Sequence, residues 1–388
     1  MRISEVKPLV CHLKGRNFTF VKVTTSDGII GYGESTNAPE ATAGAITGLA
    51  PFLVGRDPSQ IERLWQEMYQ MYHNVKGGSI FTSAMSGIEQ ALWDIKGKLL
   101  NVPVYELLGG RCWDRVRAYW GDWPQGARAP EEFAERALAA IEQGWRVLKW
   151  DPFGSAGLFA TDEEIRLAVK RVEAVRRAVG DDVELAVEAH GRLSPTNAIK
   201  AAEAIKEYRP YWFEEPVPPE NVDAMVIVAR ATSVPIATGE RLYTRWGFRE
   251  LLEKQAAAII QPDLCHAGGI LECKKIAAMA HTYYVAVAPH SPFGPLSLAA
   301  AVQLDVCTPN FLIQEIGSGR LAVVKEPLEI KDGYITVPTR PGLGIELDEE
   351  CIARHPYQWA PGDGHAIFAR DAALVPGSSV ATLRPFGL

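Results

Sequence analysis

Eight short apolar runs, separated by longer amphipathic stretches, are the feature of this chain that most constrains its fold. They begin near residue 116 and read VRAYW, RVLKWD, VELAVEAH, YWFEEP, VPIATGE, AAIIQPD, VAVAPH and NFLIQE. The polar residues that close the last six runs recur at intervals of 23 to 27 residues and are Glu188, Glu214, Glu240, Asp263, His290 and Glu315. One strand and one helix per interval explain this regularity, so the pattern predicts an α/β fold with a (β/α)8 barrel.

The first 115 residues have a different pattern, typical of an α+β unit. FTFVKVTT and GIIGYGES flank Asp27-Gly28, which is a strong hairpin signal. The apolar residues of GIEQALWDIKGKLL then recur at helical spacing. We therefore expect a small separate domain ahead of the barrel.

Composition excludes several classes of partner. The net charge is −7 and no basic run is present, so nucleic acid is not an expected partner. No apolar run reaches the roughly 20 residues of a membrane span, and MRISEVKPLV lacks the apolar core of a signal peptide. The six cysteines form no CxxC pair, which argues against structural zinc and a disulfide framework. We expect a cytoplasmic protein.

Three glutamates that end neighbouring runs predict a metal site. In such barrels the loops at the carboxyl ends of the strands build the active site, so Glu188, Glu214 and Glu240 should converge. Converging carboxylates repel one another unless a cation neutralises them. Oxygen ligands without cysteine favour Mg²⁺ over zinc. An acidic rim without metal is the alternative.

The stretch LAVEAHGR places Glu188, His190 and Arg192 at alternating positions. Side chains two residues apart share one face of a strand. If the strand continues through Arg192, all three side chains point to the same side of the barrel.

His290 and Asp263 close two neighbouring runs and form a candidate base pair. A carboxylate beside an imidazole fixes its tautomer and raises its basicity, as a general base requires; the alternative is a purely structural hydrogen bond. Glu315 would donate a hydrogen bond if protonated, or support its neighbours. A divalent ion facing such a base suits proton abstraction next to a carboxylate, through an enediolate.

Long ordered motifs along almost the whole chain resemble the mandelate racemase branch of the enolase superfamily, and within it the galactonate dehydratase type of sugar-acid dehydratase. They are DGIIGYGES, GIEQALWDIKGKLLNVPVYELLGG, AHGR, FEEPV, GERLYTRWGF, QPDLCHAGGI, APHSPFGPLSLAA and RPGLGIELDEE. The resemblance implies a capping domain over residues 1–115, a barrel over 116–349, and a tail of about 350–388 that packs back on the capping domain. It also implies Mg²⁺-dependent dehydration of an aldonate, galactonate first, to the 2-keto-3-deoxy acid.

Carried over residue by residue, the resemblance assigns roles within the candidate site. Glu188, Glu214 and Glu240 are the implied Mg²⁺ ligands, and His290 with Asp263 is the implied base. His190 is the implied acid that helps the 3-hydroxyl leave. Lys149 and Glu315 are similar to residues that bind or polarise the substrate carboxylate. Residues expected to touch the substrate or support the site are Arg192, His266 and Asp151.

Two positions depart from the galactonate dehydratase and racemase patterns. Glu188 stands where galactonate dehydratases typically have Asp, and gluconate dehydratases also have Glu before HGR. Asp151, in KWD, stands where racemases of this branch have a second Lys, and it too resembles gluconate-type enzymes. A base on one face of the substrate gives elimination, whereas racemisation needs two.

Several alternatives remain open from the sequence. They are a gluconate- or arabinonate-type dehydratase, an epimerase or cycloisomerase of the same superfamily, and a catalytically silent sugar-acid-binding protein. A nicotinamide oxidoreductase is disfavoured because no GxGxxG follows a strand. We expect a small sugar-acid substrate and a homo-oligomer. Residues that either cover the site or pack along a helix are Trp65, Tyr69 and Tyr72.

Overall fold

The computed structural model describes residues 1–71, 74, 77–317 and 321–358. The chain begins with an antiparallel sheet of three strands, β1 (Ile3–Leu13), β2 (Arg16–Thr25) and β3 (Ile30–Ser35). Gly28 supplies the positive φ of +81° that the β2–β3 turn requires, which confirms the predicted hairpin. The α-helices described after this sheet are α1 (Pro39–Leu53), α2 (Ile61–Met71), α3 (Ser79–Leu100) and α4 (Val104–Leu107).

Helix α3 is the centre of this first unit. Gly31 and Gly33 of β3 lie against it, and a Cβ at either position would fall 2.0–2.1 Å from a backbone carbonyl oxygen of the helix. The two glycines therefore allow an unusually close approach of helix to sheet. Every residue of α3 from Phe81 to Ile95 is buried, so this helix also faces the barrel.

The predicted apolar runs form eight parallel barrel strands. They are β4 (Val116–Trp120), β5 (Val147–Trp150), β6 (Glu184–Glu188), β7 (Trp212–Glu214), β8 (Ile236–Thr238), β9 (Ile259–Ile260), β10 (Ala286–Val287) and β11 (Gln314–Ile316). The helices between them are α5 (Pro130–Glu142), α6 (Asp162–Val179), α7 (Pro195–Ile205), α8 (Val222–Ala231), α9 (Thr244–Glu253), α10 (Ile270–Thr282) and α11 (Pro295–Val306).

Strand pairing follows the order expected for a barrel. Each strand from β4 to β10 pairs with the next, and β11 pairs in parallel with β4. A parallel bridge between Val287 and Phe311 joins the seventh strand to the segment that leads into the eighth. Inside the barrel, small residues such as Ala186, Ala237 and Ala288 leave room for larger side chains.

The segment after β11 differs from a full (β/α)8 repeat. Among the described residues, the next elements are a hairpin of β12 (Ile330–Lys331) and β13 (Tyr334–Ile335) and the short α12 (Glu349–Arg354), rather than an eighth barrel helix. Strand β13 pairs antiparallel with β4, on its N-terminal half. The eighth βα unit is thus replaced by a hairpin across the base of the first strand.

The described part of the predicted tail lies against the first sheet. Pro356 forms a bridge with Cys11 of β1, and Glu349 accepts a hydrogen bond from Lys22 of β2 at 2.7 Å. Residues 359–388 of the predicted tail lie outside the described residues.

Two of the three aromatic residues singled out in the sequence lie on α2 and take part in packing. Trp65 is buried and stacks on Tyr69 at 5.1 Å, and Tyr69 stacks on Trp246 of α9 at 4.9 Å. Tyr72 lies outside the described residues. No helix in the described ranges combines the length and the apolar character needed to cross a membrane.

Candidate active site

All eleven predicted site residues meet at the carboxyl ends of the barrel strands. Nine are buried, whereas the side chains of His190 and Asp151 are 25% and 16% exposed. Solvent therefore reaches the site beside this pair. The eleven residues are Lys149, Asp151, Glu188, His190, Arg192, Glu214, Glu240, Asp263, His266, His290 and Glu315.

The three glutamates form one cluster because their strands are neighbours. Glu188 is the last residue of β6 and pairs directly with Glu214, the last residue of β7. Glu240 follows β8 by two residues. One carboxylate oxygen from each lies within 4.8 Å of the others, and all three residues are buried.

The carboxylate cluster fits a divalent cation. Glu188 Oε1 and Glu240 Oε2 are buried and have no hydrogen-bond partner among the described residues. A buried carboxylate oxygen without a donor is costly, and a cation held between the three side chains would satisfy both oxygens. A set of oxygen donors without sulfur or nitrogen is the one that hard divalent ions prefer.

Lys149 of β5 supplies positive charge directly beside the cluster. Its Nζ lies 2.9 Å from Glu188 Oε2, 2.8 Å from Glu214 Oε1 and 2.9 Å from Glu315 Oε1. Burial alone lowers the pKa of Lys149, but the three carboxylates outweigh it and hold that pKa well above its usual value. Burial and Glu188 raise the pKa of Glu214, although Lys149 acts in the opposite direction.

His290 and Asp263 form a hydrogen-bonded pair beside Glu240. The Nδ1 atom of His290 lies 2.7 Å from Asp263 Oδ2, and its Nε2 lies 3.4 Å from Glu240 Oε2. Burial alone lowers the pKa of His290, but Glu240, Glu315 and Asp263 together raise it to about 10. The pair has the geometry of an oriented imidazole whose Nε2 faces the cluster.

His190 reaches the other side of the cluster from a turn, so the strand does not continue through Arg192. β6 ends at Glu188, and His190 has a φ of +48°, in the left-handed region. Its Nδ1 lies 2.8 Å from Asp151 Oδ2, and its Nε2 lies 3.4 Å from Glu188 Oε2. Burial alone lowers the pKa of His190, but Glu188 and Asp151 raise it to about 9.

Arg192 is committed to protein partners. Its guanidinium donates to Asp151 and to the carbonyl oxygens of Gly154 and Ala189, and the residue is only 3% exposed. Asp151 therefore lies between Arg192 and His190, and holds the imidazole rather than standing free at the surface of the site.

His266 lies behind the cluster. Its Nε2–H donates to the backbone carbonyl oxygen of Glu240, and its Nδ1 lies 3.7 Å from Asp263 Oδ1. The ring is 6.4 Å from the ring of His290, centroid to centroid. His266 thus connects the third glutamate to the partner of the candidate base.

The sequence reasoning missed three residues that contact this site. Trp212 donates from Nε1 to Glu214 Oε2 at 2.7 Å, and strand alternation could have revealed it because it lies two residues before Glu214. Arg241 forms an ion pair with the buried Glu215. Burial and Glu240 raise the pKa of Glu215 to about 8, although Arg241 acts in the opposite direction. The second Glu of FEEP and the Arg of GERL were the available signals.

Comparison with known proteins assigns the family. Residues 6–109 match the mandelate racemase/muconate lactonizing enzyme N-terminal domain, and residues 132–351 match the enolase C-terminal domain-like model. The chain belongs to the mandelate racemase branch of the enolase superfamily. Members of this superfamily use a divalent metal, in agreement with the carboxylate cluster.

Relatives and solved structures within the superfamily cover most of the chain. A D-galactonate dehydratase of Variovorax paradoxus (strain S110) is 41% identical over 355 residues, 88% of this chain and 92% of the relative. Another, of Ralstonia pickettii (strain 12J), is 41% identical over 346 residues, 86% and 89% of the two chains. A mandelate racemase/muconate lactonizing enzyme structure from Sulfitobacter sp. superposes with a TM-score of 0.88 at 37% identity, covering 93% of this chain and 97% of the other.

Proposed function

We propose that this protein is a metal-dependent hydro-lyase that converts an aldonate, galactonate first, into the 2-keto-3-deoxy acid. The observation that carries the proposal is the pair of oriented histidines beside the carboxylate cluster. His290 Nε2 lies 3.4 Å from Glu240, and His190 Nε2 lies 3.4 Å from Glu188. Elimination of water from a sugar acid needs a proton acceptor at C2 and a proton donor at the 3-hydroxyl, and this site has one imidazole for each.

His290 is the base in this proposal. Asp263 holds its Nδ1–H, which leaves Nε2 as the nitrogen that accepts the proton from C2. Loss of this proton converts the substrate carboxylate into an enediolate. The carboxylate charge of Asp263 stabilises the imidazolium that forms, so the pair works as one unit.

His190 is the acid. Asp151 orients it through Nδ1, and Arg192 holds Asp151 in turn. Protonation of the 3-hydroxyl by Nε2 turns a poor leaving group into water, and a positioned acid of this kind contributes about 10²–10⁴ to the rate. We therefore assign Asp151 and Arg192 to orienting the acid, and His266 to orienting Glu240 and Asp263.

Mg²⁺ is the ion that we propose for Glu188, Glu214 and Glu240. When bound, it supplies positive charge against the charge that develops on the substrate carboxylate. Lys149 lies among the same carboxylates and adds a second positive charge, while Glu315 holds Lys149 at 2.9 Å. The substrate carboxylate is thus expected beside Lys149.

A panel of aldonates with Mg²⁺ tests the function. Galactonate, gluconate, arabinonate and the diacid glucarate are each incubated with the enzyme, and the 2-keto-3-deoxy product is measured by its semicarbazone absorbance. The relatives named D-galactonate dehydratase support galactonate as the preferred substrate. His290→Asn is the control variant. Turnover of glucarate alone, or of none of the acids, would contradict the substrate assignment.

The same panel in D₂O separates the alternative reactions. Exchange of the C2 proton without loss of water would indicate an epimerase, and binding without exchange would indicate a silent sugar-acid-binding protein. Retention of both histidine–aspartate pairs favours a dehydratase, since binding alone needs no base.

The remaining expectations stand as further proposals. We place the division between the capping domain and the barrel at about residue 115, and the enzyme in the cytoplasm as a homo-oligomer. All six cysteines are free, which supports a reducing compartment. Light scattering after size exclusion measures the oligomeric state.

A further inference from the structure

Barrel helix α11 begins without an N-cap side chain of its own. The residue before it is Gly294, which has no side chain to accept hydrogen bonds from the first amides of the helix. Glu34 of β3, in the first unit, accepts them instead. Its Oε1 lies 2.6 Å from Gly294 N and its Oε2 lies 2.9 Å from Ser297 N. A Cβ at position 294 would lie 2.6 Å from Glu34 Oε1, so glycine is required for this contact.

The segment capped by Glu34 is the one that carries His290. Only three residues separate His290 from Gly294, and one of them, Phe293, meets the imidazole edge-on at 5.8 Å. At the near end of the segment, Ser291 N donates to Glu315 Oε2 at 2.8 Å. The segment is therefore held at one end by the barrel and at the other by Glu34.

Gln90 of α3 connects Glu34 to the loop that carries Asp263. Glu34 N donates to Gln90 Oε1 at 3.0 Å, and Gln90 Nε2 donates to Leu264 O at 2.8 Å. Leu264 directly follows Asp263, whose Oδ1 accepts from Cys265 N at 2.6 Å. The His290 segment thus contacts Glu34, the Asp263 loop contacts Gln90, and Glu34 and Gln90 are hydrogen-bonded to each other.

We propose that Glu34 and Gln90 are positioning residues that align His290 with Asp263 when the first unit is docked on the barrel. This inference rests on the proposed function, because it takes His290 as the base. Their side chains bond Gly294, Ser297, Leu264 and Cys265, so they act through residues 291–297 and 264–265. Their effect should therefore fall on the chemical step rather than on substrate binding.

Glu89 provides a matched control. It is also a fully buried carboxylate of the first unit, and it caps α10 by accepting from Ile270 N at 2.7 Å and Leu271 N at 2.9 Å. Glu34→Gln and Glu89→Gln each weaken one cap of a barrel helix. We expect similar losses in Tm from the two substitutions, but only the first changes the segment that carries His290.

Steady-state kinetics test the proposal. A displacement of about 1 Å can cost 10²-fold in rate, so we expect Glu34→Gln to lower kcat about 10- to 100-fold with KM changed less than about threefold. Gln90→Met, which keeps the size but loses the amide, should act in the same direction. Glu89→Gln should keep kcat within about twofold. Wild-type kcat in Glu34→Gln, or an equal loss in Glu89→Gln, overturns the proposal.

Hydrogen exchange separates a failure of this inference from a failure of the proposed function. Mass spectrometry of the substrate-free protein measures amide exchange in residues 288–297 and 269–275. Glu34→Gln should accelerate exchange about tenfold or more in the first peptide only, and Glu89→Gln in the second only. If the wild type converts no aldonate, the proposed function fails. The positioning role is still tested in that case, because unchanged amide exchange of residues 288–297 in Glu34→Gln would refute it. If Glu34→Gln does not fold, Gln90→Met decides by the same kinetics.

Discussion

Glu214→Gln should remove the metal response of this protein while changing its metal-free stability little. The three ligand oxygens lie within 4.8 Å of one another, and at that separation, with an effective dielectric constant of about 20, two charges repel by about 3.5 kcal/mol. The substitution removes two such repulsions, with Glu188 and Glu240, or about 7 kcal/mol. It also removes the attraction to Lys149 at 2.8 Å, about 6 kcal/mol. The two nearly cancel, so we expect a Tm in EDTA within a few degrees of the wild type.

Added Mg²⁺ should then separate the two proteins. A ligand at 100 times its Kd stabilises the folded state by about 2.7 kcal/mol, or about 3 °C for a chain of 388 residues with an unfolding entropy of about 2.1 cal/mol/K per residue. The variant lacks one of three anionic ligands, so we expect it to need at least about tenfold more Mg²⁺ for the same shift. Thermal unfolding in EDTA, followed by titration with MgCl₂, measures both quantities.

Glu315→Gln is the control for this experiment. Glu315 also lies 2.9 Å from Lys149 but is not one of the three clustered carboxylates, so this variant should keep the wild-type Mg²⁺ response. If the chelated wild type does not respond to Mg²⁺, or if Glu214→Gln responds at the same concentration as Glu315→Gln, the three glutamates are not the metal site.

Three further outcomes follow from the same geometry. His290→Asn should abolish both dehydration and C2 proton exchange, whereas His190→Asn should lose dehydration and keep some exchange. Exchange is measured by NMR in D₂O, and an equal loss of exchange in the two variants would contradict the two roles. A 3-deoxy aldonate should exchange its C2 proton but give no keto product. Lys149→Met should lower the free energy of unfolding in EDTA by about 3–5 kcal/mol in a urea titration, because the buried carboxylates lose their cation. If added Mg²⁺ does not restore this stability, Lys149 and the metal ion do not share the same carboxylates.

The barrel could be predicted because its strands are buried on both faces. Such strands are short continuous apolar runs, and VRAYW coincides with β4 from end to end. β1 was not predicted, since Glu5, Lys7 and Pro8 interrupt its apolar pattern and its exposed positions do not alternate regularly. The β12–β13 hairpin has only two residues in each strand, too few to show a period.

The part of the site at the ends of the strands could be predicted from the sequence, whereas the part that depends on turns and on contacts between distant residues could not. Residues at the ends of neighbouring strands converge by topology, so the three glutamates, Lys149 and His290 were all expected together. The partner of His190 depends on a left-handed turn that strand periodicity does not describe. Glu34 and Gly294 are 260 residues apart, and no local pattern links them.

A substitution of Asp151 tests most directly whether His190 is the acid and His290 the base. It accepts from His190 Nδ1 at 2.8 Å and from Arg192, so Asp151→Asn keeps the size but loses the charge that stabilises a protonated His190. We expect kcat for dehydration to fall about 10- to 100-fold, part of the total that a general acid contributes. C2 proton exchange, which depends on His290, should stay within about twofold, so the ratio of exchange to dehydration rises.

Asp263→Asn is the matched control for that ratio, because it removes the same charge from the other histidine. It should slow exchange and dehydration together, since both begin with proton removal by His290. The ratio of exchange to dehydration, measured by NMR in D₂O for the two variants, therefore distinguishes an acid from a base without any change in fold. If Asp151→Asn slows exchange as much as dehydration, Asp151 acts on substrate binding or on the shape of the site, and His190 is not the acid that it orients.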